Sequence, residues 1–109
     1  MSDVCMKAFG LNTVTQTGKG PVIKLFRPHR THGIQVSATG APATVTAQLL
    51  GSLDDANFFL IATWDTGAGQ TLGDIVFVTS KPVMSVQVNL TALSGGTTPT
   101  VTAVVVAAP

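Results

Sequence analysis

Residues 83–90 read Val-Met-Ser-Val-Gln-Val-Asn-Leu, a stretch in which every second side chain is apolar. Successive side chains of a β-strand point to opposite faces, so Met84, Val86, Val88 and Leu90 would share one face and the polar side chains the other. A helix would need apolar residues three and four positions apart. The stretch therefore predicts a strand with one face in a core and the other in solvent.

Two further alternating stretches stand close together in the chain. His32–Thr39 and Thr44–Leu50 each have apolar side chains at every second position, and a short Gly-Ala-Pro link at 40–42 separates them. Short links join antiparallel neighbours, so the two stretches are predicted to form a hairpin. Phe58–Trp64 is apolar on both faces, which predicts a strand at the centre of a sheet with other layers covering it.

Shorter strand-like stretches recur along the rest of the chain, with Gly, Pro, Asn and Asp between them. They lie at residues 6–11, 22–27, 72–79 and 100–106. Seven or eight short strands without a helical pattern predict an all-β fold, a two-sheet antiparallel β-sandwich or a jelly-roll-like one. We expect a single domain over residues 21–109 and an extended N-terminal arm over residues 1–20, because Thr13–Gly20 is polar and rich in small residues.

The surface of this chain is predicted to carry few charges. Eleven of the 109 residues are Lys, Arg or Asp and none is Glu, whereas Thr (16) and Val (14) are abundant. An average soluble domain is about 25% charged, and a net charge near zero favours association. We therefore expect partner proteins to cover much of the surface. Apolar runs such as 104–108 are far too short to cross a membrane, so no membrane partner is expected.

The few charges are divided unevenly along the chain. Residues 1–36 hold five basic residues and one Asp (net +4), and residues 37–109 hold one Lys and four Asp (net −3), which gives the overall +1. Opposite charges of this kind could join parts of one chain or neighbouring subunits. Cys5 is the only cysteine, which excludes an internal disulfide and fits a reducing cytoplasm. The first residues lack the basic-then-apolar order of a signal peptide.

Three stretches resemble small β-sandwich proteins of tailed-bacteriophage particles. The first, 34–45, reads IQVSATGAPATV and enters a Gly-Ala-Pro turn. The second, 50–58, reads LGSLDDANF and is similar to a Gly-Ser-Leu-Asp-Gly-x-Asn-aromatic motif. The third, 81–101, leads from Lys-Pro-Val to Thr-Pro-Thr-Val. Asp55 stands where the second motif commonly has Gly, a residue that adopts positive φ at low cost.

The resemblance implies a structural role in the virion. Proteins of this type include head decoration (cement) proteins, so we expect a protein of the capsid surface, made in the host cytoplasm. Its partners would be the major capsid protein and further copies of itself, as a dimer or trimer. The alternative is a tail- or fibre-associated binding module that recognises host surface carbohydrate, with the aromatic residues of Phe58–Trp64 as a stacking platform.

The residues predicted to contact partners lie in two places. A basic segment that would meet acidic groups on a partner comprises Lys24, Arg27, His29, Arg30 and His32. The last strand is long, apolar and uncharged, and such a strand is either central in a sheet or paired with a neighbouring subunit. Val104 and Val106 of this strand are therefore candidate contacts as well.

Other chemistries have weaker support in the sequence. His29 and His32 have no acidic residue or Cys nearby as a further metal ligand, and a polar turn explains them. Asp54 and Asp55 lack the spacing of an EF-hand calcium loop and fit a turn in which side chains bond the local backbone. No catalytic triad is evident, so we predict no enzyme and no cofactor. Basic residues without interleaved aromatics do not indicate a nucleic-acid partner.

Overall fold

The computed structural model describes residues 6–108, and these residues form nine β-strands and a single 3-10 turn at Thr66–Ala68. The strands are β1 (Met6–Val14), β2 (Gly18–Lys19), β3 (Ile23–His29), β4 (Thr31–Thr39), β5 (Thr44–Ser52), β6 (Phe59–Asp65), β7 (Ile75–Val78), β8 (Val83–Ser94) and β9 (Thr100–Ala108). The part of the chain described contains no helix long and apolar enough to cross a membrane.

The strands form two antiparallel sheets that pack face to face. The first, the four-stranded sheet, has the order β1-β9-β4-β7. In the second, the five-stranded sheet, β5 pairs with β6 and β8, and both β2 and β3 pair with β8. Side chains from both inner faces fill the space between the sheets, as in β-sandwiches generally. The predicted all-β, two-sheet antiparallel sandwich is confirmed.

Trp64 is the largest side chain in the core. It is fully buried among apolar residues of both sheets, and its Nε1–H donates to the backbone oxygen of Asp74 at 3.0 Å. A buried indole nitrogen needs such a partner, because an unpaired donor inside the protein is costly. This hydrogen bond joins β6 of the five-stranded sheet to the segment that enters β7 of the four-stranded sheet.

The hairpin predicted for the two alternating stretches is wrong. β4 pairs with β7 and β9, whereas β5 pairs with β6 and β8, so the two strands lie in different sheets. The link between them crosses one end of the sandwich, where Gly40 has a φ of +81° and its oxygen accepts from Thr97 N at 2.9 Å. Alternation shows which residues face the core, but either sheet can bury them.

The central position predicted for Phe58–Trp64 is also wrong, because β6 is an edge strand that pairs with β5 alone. A bulge at Ile61 shifts its register: Leu60 pairs with Leu50, and Ala62 pairs with Leu49. The bulge turns Ile61 into the core and leaves Leu60 half-exposed. Bulges are common on edge strands, where they limit pairing with other chains.

Both ends of the described chain belong to the sandwich. β1 pairs with β9 along its length and buries Leu11, and β2 adds to β8, so the arm predicted for residues 1–20 is wrong for this part of the chain. Residues 1–5 of that arm lie outside the described residues. β9 lies between β1 and β4 and is thus central in its sheet. The N-terminal end joins the core because β1 carries apolar residues such as Leu11.

Candidate functional site

A bulge in β3 forms the most unusual surface feature of the protein. The pairing of β3 with β8 is regular at Ile23 and Lys24 and resumes at His29. From the Lys24–Ser85 pair to the His29–Val83 pair, β3 spans five residues and β8 only two. β3 thus holds three extra residues, and the exposed residues 26–28 loop out from the sheet. Bulges of this kind redirect side chains and are frequent at functional sites.

Phe26 is the side chain that the bulge presents to solvent. Its backbone φ is +66°, a left-handed conformation that is rare for bulky residues, and the residue is 82% exposed. Leu25 and His29 on either side are buried and hold the bulge against the core. The Nδ1–H of His29 also donates to the oxygen of Arg27 at 2.9 Å. The bulge is therefore a fixed structure whose outermost group is an aromatic ring.

The Phe26 ring borders a cleft, here called the bulge cleft, with a volume of about 410 Å³. Its lining residues come from β3, β8 and the turn after β5: Lys24, Phe26, Leu53, Asp54, Asp55, Met84 and Ser85. Leu53, like Phe26, is a large apolar side chain that is mostly exposed. Met84 was predicted to face the core, and this is wrong. Opposite the bulge of β3 it is Val83 that is buried in the core, whereas Met84 is half-buried and lines the cleft.

One wall of the cleft is the turn at Ser52–Asn57, which the Asp54 carboxylate holds together. Asp54 Oδ1 accepts from the backbone N–H groups of Ala56 at 3.0 Å and Asn57 at 2.8 Å, and from Ser52 Oγ at 3.0 Å. Asp54 Oδ2 accepts from Asn57 Nδ2 at 2.8 Å. The two backbone bonds, followed by those from the side chains, lower the pKa of Asp54 well below its usual value.

Asp55 connects this turn to the sheet. It has a φ of +62°, which is consistent with the glycine that the related motif commonly has at this position. Its Oδ1 accepts from the buried hydroxyl of Ser85, and its Oδ2 lies 4.0 Å from Nζ of Lys24. The carboxylates of Asp54 and Asp55 thus have local partners, as expected for a hydrogen-bonded turn and not for an open calcium loop.

The five basic residues predicted to contact a partner divide into two groups. Lys24 and Arg27 are exposed at the bulge, and Arg30 is exposed in the connection to β4. His29 and His32 are 1% exposed and contribute nothing to the surface, so their assignment to a surface contact is wrong. His32 points inward because it continues the alternation of the core residues Ile34 and Val36 in β4. His29 is buried where β3 resumes its pairing with β8 after the bulge.

The two histidines use backbone oxygens as hydrogen-bond acceptors. His32 Nε2–H donates to Lys81 O at 3.0 Å, as His29 Nδ1–H does to Arg27 O. Each ring keeps one buried nitrogen without a partner, His29 Nε2 and His32 Nδ1. Burial is the main cause that lowers the pKa of His32. Within residues 6–108 no three His, Cys, Asp or Glu side chains lie close enough to hold a metal ion.

The other two predicted contact residues, Val104 and Val106, lie on the outer face of the four-stranded sheet. Val106 is exposed and Val104 is half-buried. They line a second, apolar pocket of about 200 Å³ together with Gly33, Gln35, Ile75 and Phe77. This pocket faces away from the bulge cleft, since it lies on the other sheet.

Apart from Phe59, which belongs to the stacking platform considered above, the exposed aromatic residues were not identified from the sequence. Phe9, Phe26, Phe59 and Phe77 are about half-exposed or more, whereas Trp64, the best candidate for sugar stacking, is in the core. For Phe26 the sequence did contain a signal. Proline cannot donate a ladder hydrogen bond, so Pro28 in a strand-like stretch indicates an edge or a bulge.

Comparison with known proteins identifies a shared fold and no family. No protein-family model and no curated protein match the chain. The fold matches the crystal structure of the SPBc2 prophage-derived protein YomS with a TM-score of 0.71, over 100% of this chain and 96% of that chain, at 8% sequence identity. The match covers both sheets, so the sandwich described above is the fold of YomS as well.

Proposed function

We propose that this chain is a structural protein of a bacteriophage particle and has no catalytic role. More specifically, it is a decoration (cement) protein that binds the outer surface of the major capsid protein shell and stabilises it. The sequence resemblance to phage β-sandwich proteins supports a bacteriophage origin, and so does a fold shared with a prophage-derived protein.

The observation that carries the proposal is the conformation of Phe26. An aromatic side chain that is 82% exposed, on a backbone with a φ of +66°, costs the free protein both apolar exposure and strain. Contact with a pocket on another protein would bury the ring and so offset the cost of its exposure. The strained backbone would then serve to present the ring to that pocket. Aromatic and Arg side chains that fill a partner's pocket commonly supply most of an interface's binding energy.

The groups around Phe26 support a protein partner over a sugar. Arg27 follows Phe26 in the chain and Lys24 lines the same cleft, and both are exposed, so they would guide the ring toward acidic groups on the shell. A sugar site needs free polar groups for the hydroxyls, but the carboxylates of Asp54 and Asp55 already accept hydrogen bonds. The carbohydrate-binding alternative also loses Trp64, which is buried.

Binding to heads of the parent phage that lack this chain tests the proposal. Purified protein is mixed with the heads and the bound fraction is measured by sedimentation over a range of concentrations. F26A is expected to bind about 30-fold more weakly than wild type, the effect of losing roughly 2 kcal/mol at a central anchor. T63A, which removes part of an exposed side chain on the outer face of the five-stranded sheet, is the control and should bind like wild type.

Two further outcomes define the role. Heads saturated with the wild-type protein should retain their DNA to a higher temperature than bare heads, and F26A should remove that protection at the same concentration. Equal binding of F26A and wild type would refute the bulge as the contact. Binding to purified tails and not to heads would favour the tail or fibre module, and a glycan array would then identify its ligand.

A further inference from the structure

The outer face of the four-stranded sheet carries two aligned rows of side chains at one end. Strand pairing places Lys7, Val106, Gly33 and Phe77 in the first row. It places Phe9, Val104, Gln35 and Ile75 in the second row. Five of these eight residues are large and apolar, and they are here called the apolar face: Phe9, Ile75, Phe77, Val104 and Val106.

The apolar face is about as large as the largest apolar patch on a typical monomer. Phe9 is 52% exposed and Phe77 is 65% exposed. With about 200 Å² for a whole Phe side chain, the two rings together expose on the order of 230 Å². Adding Ile75 and the two valines gives roughly 400 Å², within the range of about 300–600 Å² for the largest patch of a typical monomer, which is often a functional surface.

The outer face of the other sheet is different. There Gln48 lies between Thr63 and Asn89, all in register across β6, β5 and β8. Such polar residues are what a solvent-facing sheet usually carries. The next row of that face carries Leu60 and Leu50 beside Gln87. The apolar face differs from it in extending from one edge strand of its sheet, at Phe9, to the other, at Phe77.

We propose that the apolar face packs against the same face of a second copy of this chain, forming a two-fold symmetric dimer. A standard interface buries about 800 Å² per partner, of which rather more than half is apolar. The roughly 400 Å² estimated above supplies most of that apolar part, and the polar residues around it would form the rim. Sheets that pack face to face in this way align within about 30°.

Two charges at opposite edges of the face favour this arrangement. Lys7 is exposed on β1 at one edge, and Asp74 is exposed just before β7 at the other. A two-fold axis that runs along the strands between β9 and β4 places β1 of each copy over β7 of its partner. Each Lys7 then lies over the partner's Phe77, on the same edge of the dimer as the partner's Asp74 three residues before it. Unlike charges therefore share each edge, and the two lysines are on opposite edges.

This dimer goes beyond the proposed function and does not depend on it. The dimer uses the four-stranded sheet, whereas the bulge cleft belongs to the five-stranded sheet and stays free in the dimer. A dimer would present two bulges, one on each side, and could thus join two sites on one shell. Avidity of this kind raises binding without a new contact, provided that the two sites match the spacing of the bulges.

Sedimentation equilibrium on the full chain tests the dimer. Wild type is expected to be dimeric at micromolar concentration, and V106D to dissociate at least 100-fold more readily because two carboxylates enter the apolar contact. T63D is the matched control, since it replaces another exposed β-branched strand residue by Asp, and it should dimerise like wild type. Thermal unfolding of each variant shows whether it is folded. F26D should remain dimeric while losing shell binding, which separates this proposal from the first.

A charge exchange tests the two-fold arrangement itself. At low salt K7D alone and D74K alone should each dimerise more weakly, because each edge of the homodimer then carries like charges. Thermal unfolding shows whether D74K, which loses the hydrogen bonds from Thr71, is still folded. An equimolar mixture should form a heterodimer in preference to either homodimer, since both of its charge pairs are again complementary. A wild-type monomer at tens of micromolar, a V106D dimer as tight as wild type, or a mixture without preference for the heterodimer would each overturn the proposal.

Discussion

The ring of Phe77 covers the backbone of Gly33 on the outer side of the four-stranded sheet. A Cβ atom added at Gly33 would lie 2.8 Å from Cε1 of Phe77, closer than such atoms approach in proteins. The absence of a side chain at residue 33 thus allows the ring to lie flat on the sheet. An aromatic ring over a strand glycine protects the exposed backbone at a position that would otherwise weaken the strand.

This relationship predicts a contrast between two glycines. G33A should change the free energy of unfolding by less than about 1 kcal/mol, because the exposed ring of Phe77 can move aside. G10A should cost about 1–3 kcal/mol, because its methyl group would meet Val88, which is fully buried and has no free space. Urea unfolding at one protein concentration measures both. A larger loss for G33A than for G10A would contradict this account.

A second prediction concerns Asp55 and its left-handed backbone. D55G relieves the positive φ but leaves the buried Ser85 hydroxyl without its acceptor and removes the pairing with Lys24. The lost hydrogen bond outweighs the gain, so D55G should destabilise the protein by about 1 kcal/mol in urea unfolding. D55N is the matched control, since Asn tolerates positive φ and keeps an acceptor oxygen, and it should lie closer to wild type. A D55G more stable than wild type would show that strain dominates.

A third prediction follows from the hydrogen bonds to Asp54. They lower its pKa in the folded protein, so its contribution to stability is present above the unfolded pKa of about 3.8 and is lost as the pH falls below that value. D54N keeps one acceptor oxygen and loses the charge. Its melting temperature should be lower than that of wild type at pH 6, and the difference should shrink at pH 3. Thermal melts at the two pH values measure this, and a constant difference would contradict it.

Alternation in the sequence predicts individual strands well and their pairing poorly. In β8 the alternation identifies Val86, Val88 and Leu90 as core residues, and all three are buried. It does not tell which sheet a strand joins, because both sheets bury one face of each strand in the same core. The predicted hairpin failed for this reason, and the prediction for β6 failed because Phe59 and Leu60 are apolar yet lie outside the core.

The candidate site illustrates the same limit. The alternation that makes Ile34 and Val36 core residues also includes His32, so its burial could have been predicted from the pattern. The exposure of Phe26 could not, because it depends on how many residues β3 inserts opposite β8, and that number is set by the pairing of strands distant in sequence. Surface apolar residues are identifiable only after the sheets are assembled.

The last prediction concerns the pH dependence of stability that His32 causes. Its Nε2–H donates to Lys81 O, so protonation would place a second N–H at the buried Nδ1, which has no acceptor and has His29 as its titratable neighbour. Because burial lowers the pKa of His32, the unfolded chain binds this proton more readily, and stability falls as the pH drops below about 6.5. The slope of this loss is at most about 1.4 kcal/mol per pH unit. Urea unfolding between pH 7.5 and pH 5 measures it. H32Q, whose side-chain amide can still donate to Lys81, should show a flatter profile, and identical slopes for H32Q and wild type would exclude His32 as the cause.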